Sequence, residues 1–291
     1  MQFLTKKWLE LYDELDKWKG TYVTLMDDSY PEGLHENWTV CQALFPHAQA
    51  AVAYRPTDIK PWASVLFKAA WYTSEIGNYQ AAQEMGLSAL EAREATLGAE
   101  HPDTLNSING LGLVLWWQGK YKEAETMHRR ALEAKERVIG AEHPDTLTSM
   151  GNLALTYRNQ GRWKEAEELD VQVMETRKRV LGAEHPNTLI SMGNLALTFW
   201  NQGRWKEAEE LGVQVMETRK RVLGAEHPDT LTSINNLAFT LKSQNHTEEA
   251  ILLMEKCFQI RKQILGLQHP YTETSLKTLN KWQMENIVIG L

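Results

Sequence analysis

The chain has 291 residues, with 31 Lys plus Arg against 38 Asp plus Glu and a formal net charge of -7. That balance argues against wholesale nucleic-acid binding, which needs a basic face to displace counterions; only a local basic patch stays open. No run approaches the ~18 apolar residues of a membrane span. The two cysteines, Cys41 and Cys257, have no metal spacing and exclude a disulfide scaffold, so a reducing, cytoplasmic compartment is expected.

In chain order, Met1 to Trp8 lacks a basic stretch followed by an apolar one, so no signal peptide is expected. Leu4, Trp8, Leu11, Leu15 and Trp18 alternate by four and three, an amphipathic helix of barely two heptads. The first reading is a helix docked on the downstream helices, and the second is weak self-association through it. Pro31 and Gly33 break the chain. Asn37 to Tyr54 then reads as a helix interrupted by Pro46, and Pro56 and Pro61 end an N-terminal segment of residues 1–60.

Five of the nine prolines sit in His-Pro pairs, at Pro102, Pro144, Pro186, Pro228 and Pro270, each 42 residues from the next. Fixed spacing without insertions means an internal repeat. Within one repeat, Met150, Leu153, Ala154 and Tyr157 fall on one face of a helix, and Ala166, Leu169, Val173, Met174 and Val180 continue at helical spacing in a second. Asn159-Gln160-Gly161-Arg162 is the turn between them, and Gly182 stands where a C-terminal glycine belongs. A lone hairpin cannot bury its apolar face, so the expected fold is all-α: an α-solenoid of stacked antiparallel hairpins. Five hairpins are expected at roughly 63–97, 105–139, 147–181, 189–223 and 231–265, within a repeat domain of residues 61–270. A capping helix from about Tyr271 to Glu285 fills the segment 271–291.

Leu153-Ala154-x-x-Tyr157, Gly161-x-Trp163 and Ala166 resemble the tetratricopeptide pattern. The 42-residue period, with HPDT and NLALTYRNQGRWKEAE, is similar to the kinesin light chain type of that repeat. The pattern departs at the second-helix aromatic position, which holds Gly86, His128, Asp170, Gly212 and Met254, so looser or partly hydrated packing is expected there. The fifth turn carries Asn245-His246-Thr247 without its glycine. Upstream, Glu36-Asn37-Trp38 and the run from Cys41 to Ala48 resemble the segment preceding such repeats in fungal NOD-like receptors, which place a nucleotide-switch domain before a repeat arm. No G-x-x-x-x-G-K-[ST] occurs, and Gly119-Lys120 reads as a repeat turn. The resemblance therefore implies the sensor arm alone, or a short relative without the switch.

No catalytic constellation emerges: G-x-S-x-G, H-E-x-x-H and C-x-x-C are all missing. The five His-Pro histidines are spread one per repeat, whereas a metal needs ligands around one point. They read as helix-start chemistry, with Asp103, Asp145 and Asp229 facing the positive end of the helix dipole. No enzyme, cofactor or metal is expected.

A binding surface is better supported. The face of each first helix opposite its core carries Trp71, Asn109, Trp116, Trp117, Leu155, Arg158, Asn159, Trp200, Asn201, Phe239 and Lys242. Trp and Arg dominate binding hot spots. Trp163 and Trp205, at the turn, are instead expected in the core. Asn152, Asn194 and Asn236 recur at the edge of this face, and their amides can bind a peptide backbone or bond a neighbouring hairpin. The resemblance implies the first use, since the equivalent asparagines of kinesin light chain repeats contact cargo peptides. Residues 139–180 and 181–222 match at 36 of 42 positions. Among the differences, Thr148/Ile190 and Arg158/Trp200 fall on this face, which suggests a duplicated scaffold with a changing reading surface; Asp170/Gly212 is another. The expected function is a protein-interaction scaffold with a peptide or partner in a concave groove, the repeat arm of a fungal NOD-like receptor-type protein. A kinesin light chain-like cargo adaptor is the alternative. Neither nucleic acid nor membrane is expected as a partner.

Overall fold

The computed structural model describes residues 14–53 and 55–289. Helix α1 (Leu15–Ser29), a 3-10 turn at His35–Asn37 and α2 (Trp38–Val52) precede five hairpins. These are α3 (Ile59–Glu75) with α4 (Tyr79–Leu97), α5 (Pro102–Trp117) with α6 (Tyr121–Ile139), and α7 (Pro144–Asn159) with α8 (Trp163–Leu181). They continue with α9 (Pro186–Asn201) and α10 (Trp205–Leu223), then α11 (Pro228–Ser243) and α12 (Thr247–Leu265), and α13 (Pro270–Ile289) follows. Among the described residues all regular structure is helical, as an all-α solenoid requires. The chain divides into two compact units, Met1–Thr156 and Tyr157–Leu291.

The His-Pro pairs explain where the first helices start. Proline occupies the first helical position, where its missing N–H costs nothing. The preceding histidine is the N-cap: Nδ1 accepts the backbone N–H two residues on, from Asp103 to His101 at 3.2 Å, Asn187 to His185 at 3.1 Å and Asp229 to His227 at 3.2 Å. The helices therefore begin three residues before the apolar periodicity does. Gly161 (φ 77°) and Gly182 (φ 95°) take the left-handed conformation at the two expected punctuation sites. In the fifth turn Asn245 does so instead, at φ 66°, because asparagine tolerates that region best among residues with a side chain.

In the first unit, α1 and α2 both pack on α3. Val23, Tyr30, Cys41, Leu66 and Ala69 share one buried core. Leu4, Trp8 and Leu11 of the amphipathic pattern lie outside the described residues, and Trp18 is 50% exposed on α1. Pro46 does not interrupt α2; the helix runs through it, with Cys41, Ala48 and Ala51 buried along one side. In the second unit, Leu237, Met254, Phe258 and Trp282 form a core joining α11, α12 and α13.

Two packing expectations change. At the second-helix aromatic position, His128, Asp170 and Met254 are all buried. Hydration-sized space of about 30 Å³ remains where Gly212 stands, in a cavity it shares with Val215, Arg219, Asn236 and Thr240. Trp163 and Trp205 are not core residues: they are 41% and 40% exposed. The small residues Ala166 and Ala208, three positions further on, are the ones buried between the two helices.

Candidate binding surface

In the first unit, the first-helix face carries Trp71, Asn109, Trp116 and Asn152. Trp71 and Trp116 are half-buried. Trp116 meets Trp117 edge-on with ring centroids 4.7 Å apart, and Trp117 stacks on Tyr79 while remaining 51% exposed. Asn109 is already engaged: its Oδ1 lies 3.0 Å from Nδ1 of His128. That ring is packed against Gly112, where an added Cβ would come within 2.6 Å of it. Burial lowers the His128 pKa to about 4, so the ring is neutral.

In the second unit, the groove assignment of Arg158 is corrected by its surroundings. Its side chain is 9% exposed and 3.7 Å from the Asp170 carboxylate. Its Nη1 donates to the Asn194 carbonyl and to Oγ1 of Thr198, each at 3.2 Å. The Thr198 hydroxyl in turn donates to Asp170 at 2.6 Å. Burial outweighs these partners and raises the Asp170 pKa to about 6. One repeat on, Trp200 makes the same crossing from α9 to α11, its indole N–H donating to Ser243 at 2.9 Å. Lys242 makes it a third time, 3.3 Å from Glu285 on α13. This helix position joins neighbouring first helices. Helical period alone could not show that, because the covering helix lies a full repeat away. The correlated change from Arg158 and Asp170 to Trp200 and Gly212 was the available signal.

Asn201 donates to Leu197 of its own helix at 2.7 Å, and Phe239 lies edge-on to Trp282. Asn159 is exposed. The recurrent asparagines differ from these. Asn152, Asn194 and Asn236 are half-buried, and hydrogen bonds from other side chains reach only their backbone carbonyls: Thr156 donates to Asn152, Arg158 and Thr198 to Asn194 and Thr240 to Asn236. Their side-chain amides bond no other described residue.

Two features escaped the sequence reading. Gly151 and Gly193 precede Asn152 and Asn194 in mid-helix, and a Cβ added at either meets nothing within 4 Å. Glycine costs a helix interior about 1 kcal/mol relative to alanine, so packing does not explain these two. Gly193 and Asn236 line the same cavity beside Gly212. The second feature is a buried brace: Arg177 donates to Ser191, Arg219 to Ser233 and Arg261 to Ser275, each at 2.8 Å. It ties α8, α10 and α12 to the helix that follows each, and Arg93 on α4 reaches Ser107 in the same way at 2.8 Å, whereas α6 has Lys135 there, donating to the Asp145 carbonyl at 3.4 Å. Both features recur at the repeat spacing and were legible from it. Among the described residues, no group of three or more His, Cys, Asp or Glu could hold a metal ion, and no helix is long and apolar enough to cross a membrane.

Comparison with known proteins places this arrangement. The tetratricopeptide repeat model matches residues 63–137, 106–179, 151–221 and 194–263. A nucleotide-binding leucine-rich repeat (NLR)-like protein of Hyaloscypha variabilis is 39% identical over 112 residues, 38% of this chain and 11% of that protein. The chain thus matches about a tenth of that relative's length. A crystal structure of kinesin light chain-like, nearly identical TPR-like repeats from Podosopora anserina is 30% identical. It covers 68% of this chain and 93% of its own, with a TM-score of 0.59. NprR, solved in complex with its cognate peptide NprX, shares the fold at 14% identity and a TM-score of 0.64, covering 100% of this chain and 85% of its own. With its repeats matched in phase from residue 63 to residue 263, the chain belongs to the tetratricopeptide repeat family.

Proposed function

We propose that the chain is a cytoplasmic protein-interaction scaffold that holds a peptide or partner segment along its first helices. The observation that carries this reading is the pairing of an open mid-helix glycine with an uncommitted amide, at Gly151-Asn152 and Gly193-Asn194. A missing side chain lets a partner backbone approach closely, and the neighbouring amide both donates to and accepts from it. Asn236 supplies the same amide one repeat further. Half-buried Trp71 and Trp116 add aromatic contact area of the kind that anchors interfaces. Arg158 and Asn109 belong to the scaffold in this reading, because their polar groups are engaged inside it.

The specific role proposed is the repeat arm of a fungal NOD-like receptor-type protein, supported by the NLR-like relative. A cargo adaptor is the second reading, favoured by the kinesin light chain-like repeats of the Podosopora anserina structure. The test is a displayed random-peptide library panned on the parent chain and on Asn194→Ala/Asn236→Ala. Peptides enriched on the parent and lost on the variant, with helicity unchanged, are the expected result. Peptides that bind both equally would remove the asparagines from the surface.

A further inference from the structure

We propose that the groove between α10 and α12 is a two-fold self-association surface, in which α12 of one copy lies antiparallel against α12 of a second. This goes beyond the first-helix reading and uses the second helices. The departure point is Leu252. Its counterparts in the four preceding hairpins are Glu84, Thr126, Glu168 and Glu210, all polar, as a solvated face demands. Leu252 is 67% exposed. It lies in a groove with Val213, which is 39% exposed, and Leu253, over a floor that includes Leu237. Single exposed leucines are ordinary, but a continuous apolar groove rimmed by charge marks an interaction site.

The rim identifies the occupant. Glu249 and Lys256 line this same groove, and neither has an ion-pair partner among the described residues. Lys256 stands where α4, α6, α8 and α10 carry Ser88, Arg130, Gln172 and Gln214. Glu209, also on the rim, already accepts from the Gln244 amide at 2.7 Å. Glu249 and Lys256 stand equally far in sequence from the midpoint of Leu252 and Leu253, on one helix face. A two-fold axis through that midpoint sets Glu249 opposite Lys256 of the partner subunit and Lys256 opposite the partner's Glu249. Two ion pairs then flank an apolar centre made by Leu252 and Leu253 of both copies. An isologous interface requires this kind of self-complementary patch. A uniformly basic or acidic partner would instead meet one like charge.

The experiment is sedimentation velocity of the full chain over a range of concentrations. The parent should show a concentration-dependent dimer. Leu252→Glu restores the residue found at positions 168 and 210, so the helix tolerates it; it should raise the dimer dissociation constant at least about tenfold. Glu249→Lys alone and Lys256→Glu alone should each weaken the dimer, since like charges then face each other. Mixing these two variants should restore association as a heterodimer, because every facing pair is again opposite in sign. A parent that stays monomeric overturns the proposal. So does a dimer that survives Leu252→Glu, or two charge variants that fail to associate when mixed.

Discussion

At the scale of single residues, the informative comparison is between two nearly identical repeats. Arg158 with Asp170, and Trp200 with Gly212, are alternative solutions to one packing problem. The first fills the space with an ion pair bridged by Thr198; the second uses an indole that bonds Ser243 and leaves a cavity of about 30 Å³. The polar frame needed for the first is also present in the second, with Thr240 and the Asn236 carbonyl at the equivalent positions. A Cβ at Gly212 meets only Leu237, at 3.7 Å, so a side chain fits. Trp200→Arg alone buries a cation without its carboxylate, and Gly212→Asp alone buries an unpaired carboxylate; each should destabilise the chain. The double variant should recover the loss, with a coupling of roughly 1–3 kcal/mol in a double-mutant cycle read by urea unfolding. Strictly additive losses would show that the two positions do not act together.

At the scale of the helix, α5, α9 and α11 are capped by histidine, started by proline and held to the preceding hairpin by the Arg–Ser brace. The mid-helix glycines Gly151 and Gly193 are the unoptimised feature. Gly193→Ala should raise stability by about 1 kcal/mol, since alanine is the better helix former and its methyl meets nothing. It should also weaken capture of peptides selected on the parent, because the methyl stands where their backbone approaches. A thermal melt and a binding titration on one preparation separate the two effects. A stabilised variant that binds as the parent does would make Gly193 a neutral accident. Element boundaries and turn positions were legible because His-Pro and glycine recur at fixed spacing. The face proposed for binding was only partly legible. A helical wheel identifies the side away from a hairpin's own core, but not the part that the next first helix covers. Arg158 and Trp200 fell in that covered strip, whereas Asn194 and Asn236 did not. Trp163 and Trp205 failed for the opposite reason: large apolar residues at a turn read as core, yet they are 41% and 40% exposed while Ala166 and Ala208 are buried.

At the scale of the whole molecule, a repeat protein's stability is a sum of local terms and nearest-neighbour interfaces, so a buried titrating group should be read out locally. His128 in the first unit and Asp170 in the second supply opposite terms. The folded pKa of His128, about 4, lies below the ordinary 6.5. Between those values the unfolded chain binds more protons, so this contribution is complete above about pH 6.5 and is lost as pH falls towards 4. The folded pKa of Asp170, about 6, lies above the ordinary 3.8. There the folded chain holds the extra proton, so this contribution is present below about pH 3.8 and is lost as pH rises through 6. At about 1.4 kcal/mol per pKa unit, each is of order 3 kcal/mol. Between pH 4 and 6 the two slopes oppose, and the parent's total stability should understate both. Hydrogen exchange of α5 and α6 against α8 and α9 separates them, with His128→Gln and Asp170→Asn removing one term each. Relative to the parent, His128→Gln should flatten the pH dependence of protection in α5 and α6 alone. Asp170→Asn should do so in α8 and α9 alone, with the opposite sign. If either variant changes both regions by the same amount, the two terms are not local and the nearest-neighbour description fails for this chain.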